Sequence, residues 1–277
     1  MPGICVLYLV RAINGPEPVT QFFRSYSRFR AGPEHDLALI FKGFARESDT
    51  VQYRELAGSA CSRVFHVDDS GFDIKAYGTA ARQLPHEHFC FLNSFSEILA
   101  ENWLGNLIAA ARERGVGLAG ATGSGESMYT NVLIQKRHWK NPSLTQRLWT
   151  PFRLVLCRVC FDPFPNYHIR TNAIAISRPV FEQVWPKRII TKRDAYLFEN
   201  GKNNLTRRVE NLGLRAVVVG RDGSLCESGQ WAQSRTFRSG NQENLLVADN
   251  QTRQFQNADP ETRRYLAKVA WGDRAVV

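Results

Sequence analysis

The first half of the chain alternates short, mostly apolar runs with longer amphipathic stretches. Ile4–Val10, Asp36–Phe41, Arg63–Val67, His88–Leu92 and Val116–Ala121 have strand length and are mostly apolar, which predicts strands, the first of them buried. Between them, an aromatic stripe (Phe22, Phe23, Tyr26, Phe29) and the stretch Thr50–Cys61 predict helices. So do the faces made by Ile74, Tyr77, Ala81 and Leu84, and by Ile98, Leu104, Leu107, Ile108 and Ala111. Ser70 with Asp73, and Ser94 with Glu97, have capping-box spacing and predict helix starts at both places. Strands separated by helices imply βαβ units and a parallel sheet. Right-handed crossovers then bring the strand ends to one edge, where open sheets of this type bind ligands.

The second half is less regular. Residues 128–166 are rich in aromatic and basic residues and hold Pro142, Pro151, Pro163 and Pro165, so a partly helical, partly irregular excursion is expected. Beyond it, Ile169–Ser177 and Arg215–Val219 read as strands, Pro179–Trp185 as a short helix, and Gly201–Leu212 as a helix stopped by Gly213. Asp259-Pro260-Glu261 opens a last helix to about Trp271. No repeat or linker divides the chain, which favours a single domain over residues 1–277.

Composition narrows the class. With 277 residues, 43% hydrophobic and 11% aromatic, the chain is globular and not disordered or fibrous. A net charge of +10 suits a polyanionic partner, an acidic membrane surface or a phosphorylated ligand. No apolar run approaches the roughly 20 residues that span a bilayer, and the Ile4–Val10 run lacks the flanks of a signal peptide. Six scattered cysteines, several within strand-like runs, fit a reducing cytoplasm better than a disulfide scaffold, with peripheral attachment to the inner membrane face left open. Cys157-x-x-Cys160 has no partner pair, His86-Glu87-His88 lacks helical zinc spacing, and neither a P-loop lysine nor a G-x-S-x-G elbow is present.

Four stretches carry candidate chemistry. Asp68 and Asp69, after the third strand, can accept hydrogen bonds from a ribose, a base or a sugar, or can merely cap a turn and complement a helix dipole. Asp73 reads as the far member of the capping box. Asn93 and Ser94, after the fourth strand, can bind phosphate with the helix amides behind them, or form a plain N-cap. Asp194 or Glu199 could deprotonate a hydroxyl, although their basic neighbours Lys192, Arg193 and Lys202 equally suggest surface ion pairs. Arg235, Arg238 and Arg253 can clamp a diphosphate or line a solvated loop.

Taken in order, these residues resemble a bacterial glycosyltransferase of the GT-A fold, related to the family-two enzymes, from about Ile4 to Val219. The resemblance lies in the opening strand and loop (Val10 to Asn14), the acidic turn (Asp68, Asp69), the polar strand end (Asn93, Ser94), the stretch His168–Arg178, and Phe198–Lys202 running on to Arg208. It implies an α/β, Rossmann-like mixed sheet, mainly parallel and flanked by helices. Residues 1–125 would form the nucleotide-binding half, and 126–277 the acceptor-side half and tail. The implied reaction moves a sugar, with inversion, from a nucleoside-diphosphate donor to a hydroxyl of a glycan or lipid-linked acceptor, in surface polysaccharide or glycan synthesis. Arg11, Asn14, Asp68 and Asp69 would hold the nucleoside, and Asn93 and Ser94 the diphosphate, with Arg235 and Arg238 closing over it. Glu199 would be the base with Asp194 in reserve, and His168, Arg170 and Asn172 would face the acceptor. Two departures stand out. Asn93-Ser94-Phe95 replaces the Asp-x-Asp metal motif, which leaves Mn2+ or Mg2+ undecided, and Glu199-Asn200 stands where a Glu-Asp pair is expected. A non-catalytic nucleotide-sugar-binding module on the same scaffold is the alternative. A nucleic-acid-binding protein ranks last, because no recognised motif is present and the basic residues are spread out, so no nucleic acid is expected.

Overall fold

The Ile4–Val10 run is wholly buried because its strand lies inside a sheet covered on both faces. Its side chains alternate: Cys5, Leu7 and Leu9 enter one core cluster, while Ile4, Val6, Tyr8 and Val10 enter another on the opposite face. The computed structural model describes residues 3–138 and 143–276. In chain order its principal elements are β1 (Ile4–Arg11), α1 (Glu17–Arg28), β2 (Asp36–Lys42), α2 (Val51–Ala57), β3 (Cys61–Val67), α3 (Phe72–Ala81), β4 (His88–Leu92), β5 (Glu97–Ile98), α4 (Trp103–Arg112), β6 (Val116–Gly120) and β7 (Gly123–Ser124). Then come α5 (Met128–His138), α6 (Leu144–Cys160), β8 (His168–Ile169), β9 (Ala173–Ser177), α7 (Arg178–Val184), α8 (Lys192–Asn200) and α9 (Leu205–Glu210). The chain continues through β10 (Arg215–Val219), β11 (Leu225–Cys226), β12 (Val247–Ala248), α10 (Asn250–Asn257) and α11 (Pro260–Trp271).

The fold is mixed α/β with a large, mainly parallel central sheet. Eight strands lie in the order β11-β10-β6-β9-β4-β1-β2-β3. β3, β2, β1, β4, β6 and β10 share one direction, and only β9 and β11 oppose it. Helices α1, α2 and α4 supply apolar side chains to one core layer. Helices α3, α7, α8 and α9, with Trp231 and Trp271, supply the other. The carboxyl ends of the six like-directed strands therefore meet at one edge. Because β9 runs the other way, the residues that lead into it, His168–Asn172, enter at that same edge, where Ala173 pairs with Leu92.

Several local expectations change. The Ser70/Asp73 capping box does not form. Gly71, at φ 65°, starts α3, and the Ser70 hydroxyl turns to Asp68 at 2.5 Å. Ser94 and Glu97 do not start a helix either. Glu97 belongs to β5, which pairs with β12, and bonds Arg253 at 3.1 Å, so α4 begins only at Trp103. The expected strand Ile169–Ser177 is broken at Arg170–Asn172 into β8 and β9. The expected helix Gly201–Leu212 is shorter, because Gly201 ends α8 and the Asn204 side chain caps α9 by accepting from the Arg207 amide at 3.0 Å. The 128–166 excursion is more helical than expected, with α6 continuing through Pro151; Pro142 lies outside the described residues. The excursion leaves and returns through a tight pair, β7 with β8. Gly123 makes this approach feasible, since a Cβ there would lie 2.6 Å from the Trp231 ring.

Candidate functional site

A polar cavity of about 250 Å3 opens at the strand-end edge, walled by Asp73, Asn93, Glu126, His168–Asn172, Tyr196, Glu199, Asn200 and Asp249–Gln251. Each part arrives for a local reason. Asn93 follows β4, and Arg170–Asn172 form the turn between β8 and β9. Glu199 comes from the last turn of α8, whose inner face is fixed by buried Ala195 and Phe198. Asn250 and Gln251 open α10, which Asp249 caps by accepting from the Thr252 amide at 2.8 Å.

Two carboxyl groups dominate the chemistry of this cavity. Burial pushes the Glu199 carboxyl up from 4.5 to about 7; the Thr171 hydroxyl, donating to Oε1 at 2.5 Å, opposes that rise, and the charge of Asp73 adds to it. Asp73 is likewise raised by burial, against the pull of Arg11 and Lys42, and its Oδ1 has no hydrogen-bond partner among the described residues. A glutamate that titrates near neutrality can take a proton from a hydroxyl and give it up again. His168, buried and held below the ordinary histidine range by that burial, bonds the Asn166 carbonyl through Nδ1 at 2.8 Å. Since a carbonyl only accepts, Nδ1 carries the hydrogen and Nε2 is left as an acceptor.

Arg170 is fixed before any ligand arrives. It bonds Asp249 at 2.7 Å and Thr122 at 3.3 Å, and its guanidinium lies 4.1 Å from the Phe237 ring centre. Burial works against the charge of Asp249, yet Arg170 and the Thr252 amide outweigh it and hold the carboxyl below the ordinary aspartate range. Asn172 accepts from Thr122 at 2.6 Å, and its carbonyl takes the Asn93 amide at 3.0 Å, which ties the two strand ends together. Arg238 is buried and paired with Glu126 at 2.6 Å, with Gln251 at 3.5 Å, so it braces the cavity wall from the tail.

Beside the cavity lies the acidic turn. Asp69 accepts from Lys42 at 2.8 Å and from Arg11 at 3.4 Å, which lower its carboxyl, and both cations also act on Asp73. Asp68 pairs with Lys75 at 2.8 Å and stays largely exposed. Buried donors without a partner among the described residues gather along these strand ends: Arg11 Nε, Asn14 Nδ2 and the Ser94 hydroxyl. Asn93 Oδ1 already accepts from the Phe95 amide at 3.0 Å and from Ser96 at 3.2 Å. A hard divalent cation needs charged oxygen ligands. Asn93 and Ser94 offer none, so this strand end does not fit such an ion. Among the described residues no group of three or more His, Cys, Asp or Glu side chains could hold a metal ion.

The structure thus brings Glu199, Asn93, His168, Arg170 and Asn172 together, with Arg238 bracing the wall, Asp68 and Asp69 on the adjoining turn, and Arg11 reaching Asp69 from the end of β1. Two expected residues are elsewhere. Asp194 is half-buried at the first turn of α8, where it closes a capping box with Thr191 and is held low by the Thr191 and Ile190 amides. Arg235 is exposed and paired with Glu243 at 2.7 Å. Sequence reasoning passed over Lys42, Glu126, Thr171 and Asp249, and assigned Asp73 to a cap. Lys42 carried a signal: a lysine closing an otherwise apolar run becomes a charge buried at a strand end, here 1% exposed.

No family model matches the chain, and no curated protein matches it. Solved structures of similar shape include the mannosyltransferase PcManGT from Pyrobaculum calidifontis in complex with GDP-Man and Mn2+, at TM-score 0.49 and 12% identity over 84% of this chain and 60% of that one. S. aureus TarS 1-349 aligns at TM-score 0.44 and 12% identity, over 75% of this chain and 55% of that one. Its complex with UDP-GlcNAc aligns at TM-score 0.34 and 18% identity, over 42% and 33%. The chain spans less than two thirds of each of these relatives.

Proposed function

We propose that the chain is a GT-A-type glycosyltransferase, a single domain that moves a sugar from a nucleoside diphosphate to a hydroxyl of a glycan or lipid-linked acceptor. The observation that carries this reading is Glu199, a buried carboxyl poised near neutral pH at the strand-end edge. In the proposed step its ionised carboxylate accepts the acceptor's hydroxyl proton. The freed oxygen attacks the anomeric carbon from the face opposite the diphosphate, and the bond to the diphosphate oxygen breaks, giving inversion. Thr171 occupies Oε1 and leaves Oε2 for the substrate. His168, Arg170 and Asn172 bound the acceptor side. Arg11, Asn14 and the acidic turn supply hydrogen bonds for the nucleoside. The Ser94 hydroxyl, unpaired among the described residues, and the Asn250 and Gln251 amides that open α10 are donors for the diphosphate, with Arg238 beside them. No step is assigned to a metal, because the residues at the strand end do not fit one. The six free cysteines support a reducing compartment and hence cytoplasmic chemistry, in surface polysaccharide or glycan synthesis.

The test is a thermal-shift screen of the protein against nucleoside diphosphates and their sugars, with and without Mn2+. A ligand at one hundred times its dissociation constant stabilises the fold by about 2.7 kcal/mol. Stabilisation by one nucleotide family, retained in a chelator, is the expected result. Silence across the panel rejects the donor site, and stabilisation that requires Mn2+ rejects the metal-free strand end.

A further inference from the structure

Helix α6 presents large apolar side chains that none of the other described residues covers: Trp149, Phe152, Val155, Leu156 and Val159 are 66%, 55%, 63%, 41% and 65% exposed. At about 100° per residue these five fall within one arc of roughly 120°. Thr150, Leu154 and Cys157, the less exposed positions, fall on the opposite arc, which is the face turned to the protein. The Trp149 and Phe152 rings lie 6.1 Å apart, as neighbours on one face should. Arg153 and Arg158, both exposed, flank the apolar arc on either side. Arg158 is only loosely engaged, 4.0 Å from Asp162 and 5.7 Å from the Tyr129 ring.

Charge selects the occupant of this face. The helix has no acidic residue. From Ser127 to Phe161 the sequence holds Lys136, Arg137, Lys140, Arg147, Arg153 and Arg158 with no Asp or Glu. A second copy packed face to face through α6 would set Arg153 and Arg158 against their own kind. A bilayer with anionic headgroups complements them, and an amphipathic helix with an interfacial tryptophan and flanking arginines has the chemistry of a segment lying in the headgroup plane. No helix among the described residues is long and apolar enough to cross a membrane.

We infer that the exposed face of α6 docks this protein on an anionic lipid surface. The helix end is tied to the candidate site. The Cys160 carbonyl accepts from the Lys202 amide at 2.9 Å, and Cys160 Sγ lies 3.2 Å from Arg193, which brackets α8 and its Glu199. Docking through α6 thus anchors the helix next to the residues lining the cavity. The surface itself does not depend on the proposed chemistry and is tested by binding alone.

The experiment is flotation of the full chain with vesicles of equal parts phosphatidylcholine and phosphatidylglycerol, beside vesicles of phosphatidylcholine alone, over a salt series. The expected result is co-flotation with the anionic vesicles, weakened by salt. The F152E/V159E double variant, checked for unchanged circular dichroism and melting temperature, is expected to lower partitioning at least about tenfold. R153Q and R158Q are each expected to lower it about fivefold at low salt. Absence of flotation from a folded protein overturns the inference. So does flotation that F152E/V159E leaves unchanged, which would mean charge-only adsorption. Sedimentation showing self-association that the same double variant abolishes, without vesicle binding, would assign the face to a second copy instead.

Discussion

Asp68 and Asp69 stand in the turn after β3, exposed and each against a cation, with their carboxyls held below the ordinary range. Asp73, one helical turn further on, and Glu199 in α8 are buried, and their carboxyls are raised. The same functional group therefore performs opposite tasks a few residues apart. In the turn, water and lysine keep it charged, and it can serve only as a fixed acceptor. In the cavity, lost hydration makes the proton easy to keep and brings its exchange into the physiological range. Helix α8 repeats the contrast along its own length, with backbone amides holding the Asp194 carboxyl low at one end and burial raising the Glu199 carboxyl at the other.

The largest test of that contrast is Glu199→Gln. Turnover is expected to fall by about 10²–10⁴-fold while nucleotide-sugar affinity is kept; retained turnover would place the base elsewhere, and equal loss of affinity would make Glu199 a binding residue. The same variant reads stability. Because the folded carboxyl titrates near 7 and the unfolded one near 4.5, the folded state holds the extra proton between those values. Stability therefore falls as pH rises through that window, and the penalty is complete above about 7. Glu199→Gln is expected to be more stable than the parent at pH 8, by up to about 3 kcal/mol, in urea melts; this gain shrinks to nothing near pH 4.

Asp73→Asn comes next. The charge of Asp73 helps to hold Glu199 up. Removing it should move the acid limb of the kcat–pH profile to lower pH, by less than about one unit, since burial remains the larger cause. An unmoved limb would separate the two carboxyls. The smallest effect belongs to Asp68→Asn. Losing an exposed pair with Lys75 should change stability by less than about 0.5 kcal/mol in the same melts, and a larger loss would mean that the turn, not the cavity, holds this edge together.

How much of this was legible depended on the range of the interaction involved. The strands β1, β2, β4 and β6 were readable because burial on both faces writes a continuous apolar run into local sequence. Their common edge follows from crossover handedness, and the residues alone offer Asp194 and Glu199 together, the resemblance to a known segment putting Glu199 first. Glu97 shows where local reading stops. Its spacing from Ser94 fits a capping box, but the residue is taken by Arg253, 156 positions away. Asp73 was likewise weighed as a cap, although its burial comes from folding against Arg11, Lys42 and the cavity. The α6 face could not be foreseen, since an apolar arc reads as core until the fold leaves it uncovered.

The β7–β8 pair has a consequence for how this molecule can be varied. Residues 125–167 depart and return through a two-rung ladder, Gly123 with Ile169 and Ser124 with His168. The intervening segment is thus a cassette fastened at its base, and neither strand of the ladder belongs to the eight-stranded sheet. The entropy of closing such a loop grows only slowly with its length. Its length can therefore change at little cost in closure entropy while the sheet keeps its register, provided that Glu126, which walls the cavity, and Asn166, which orients His168, are kept.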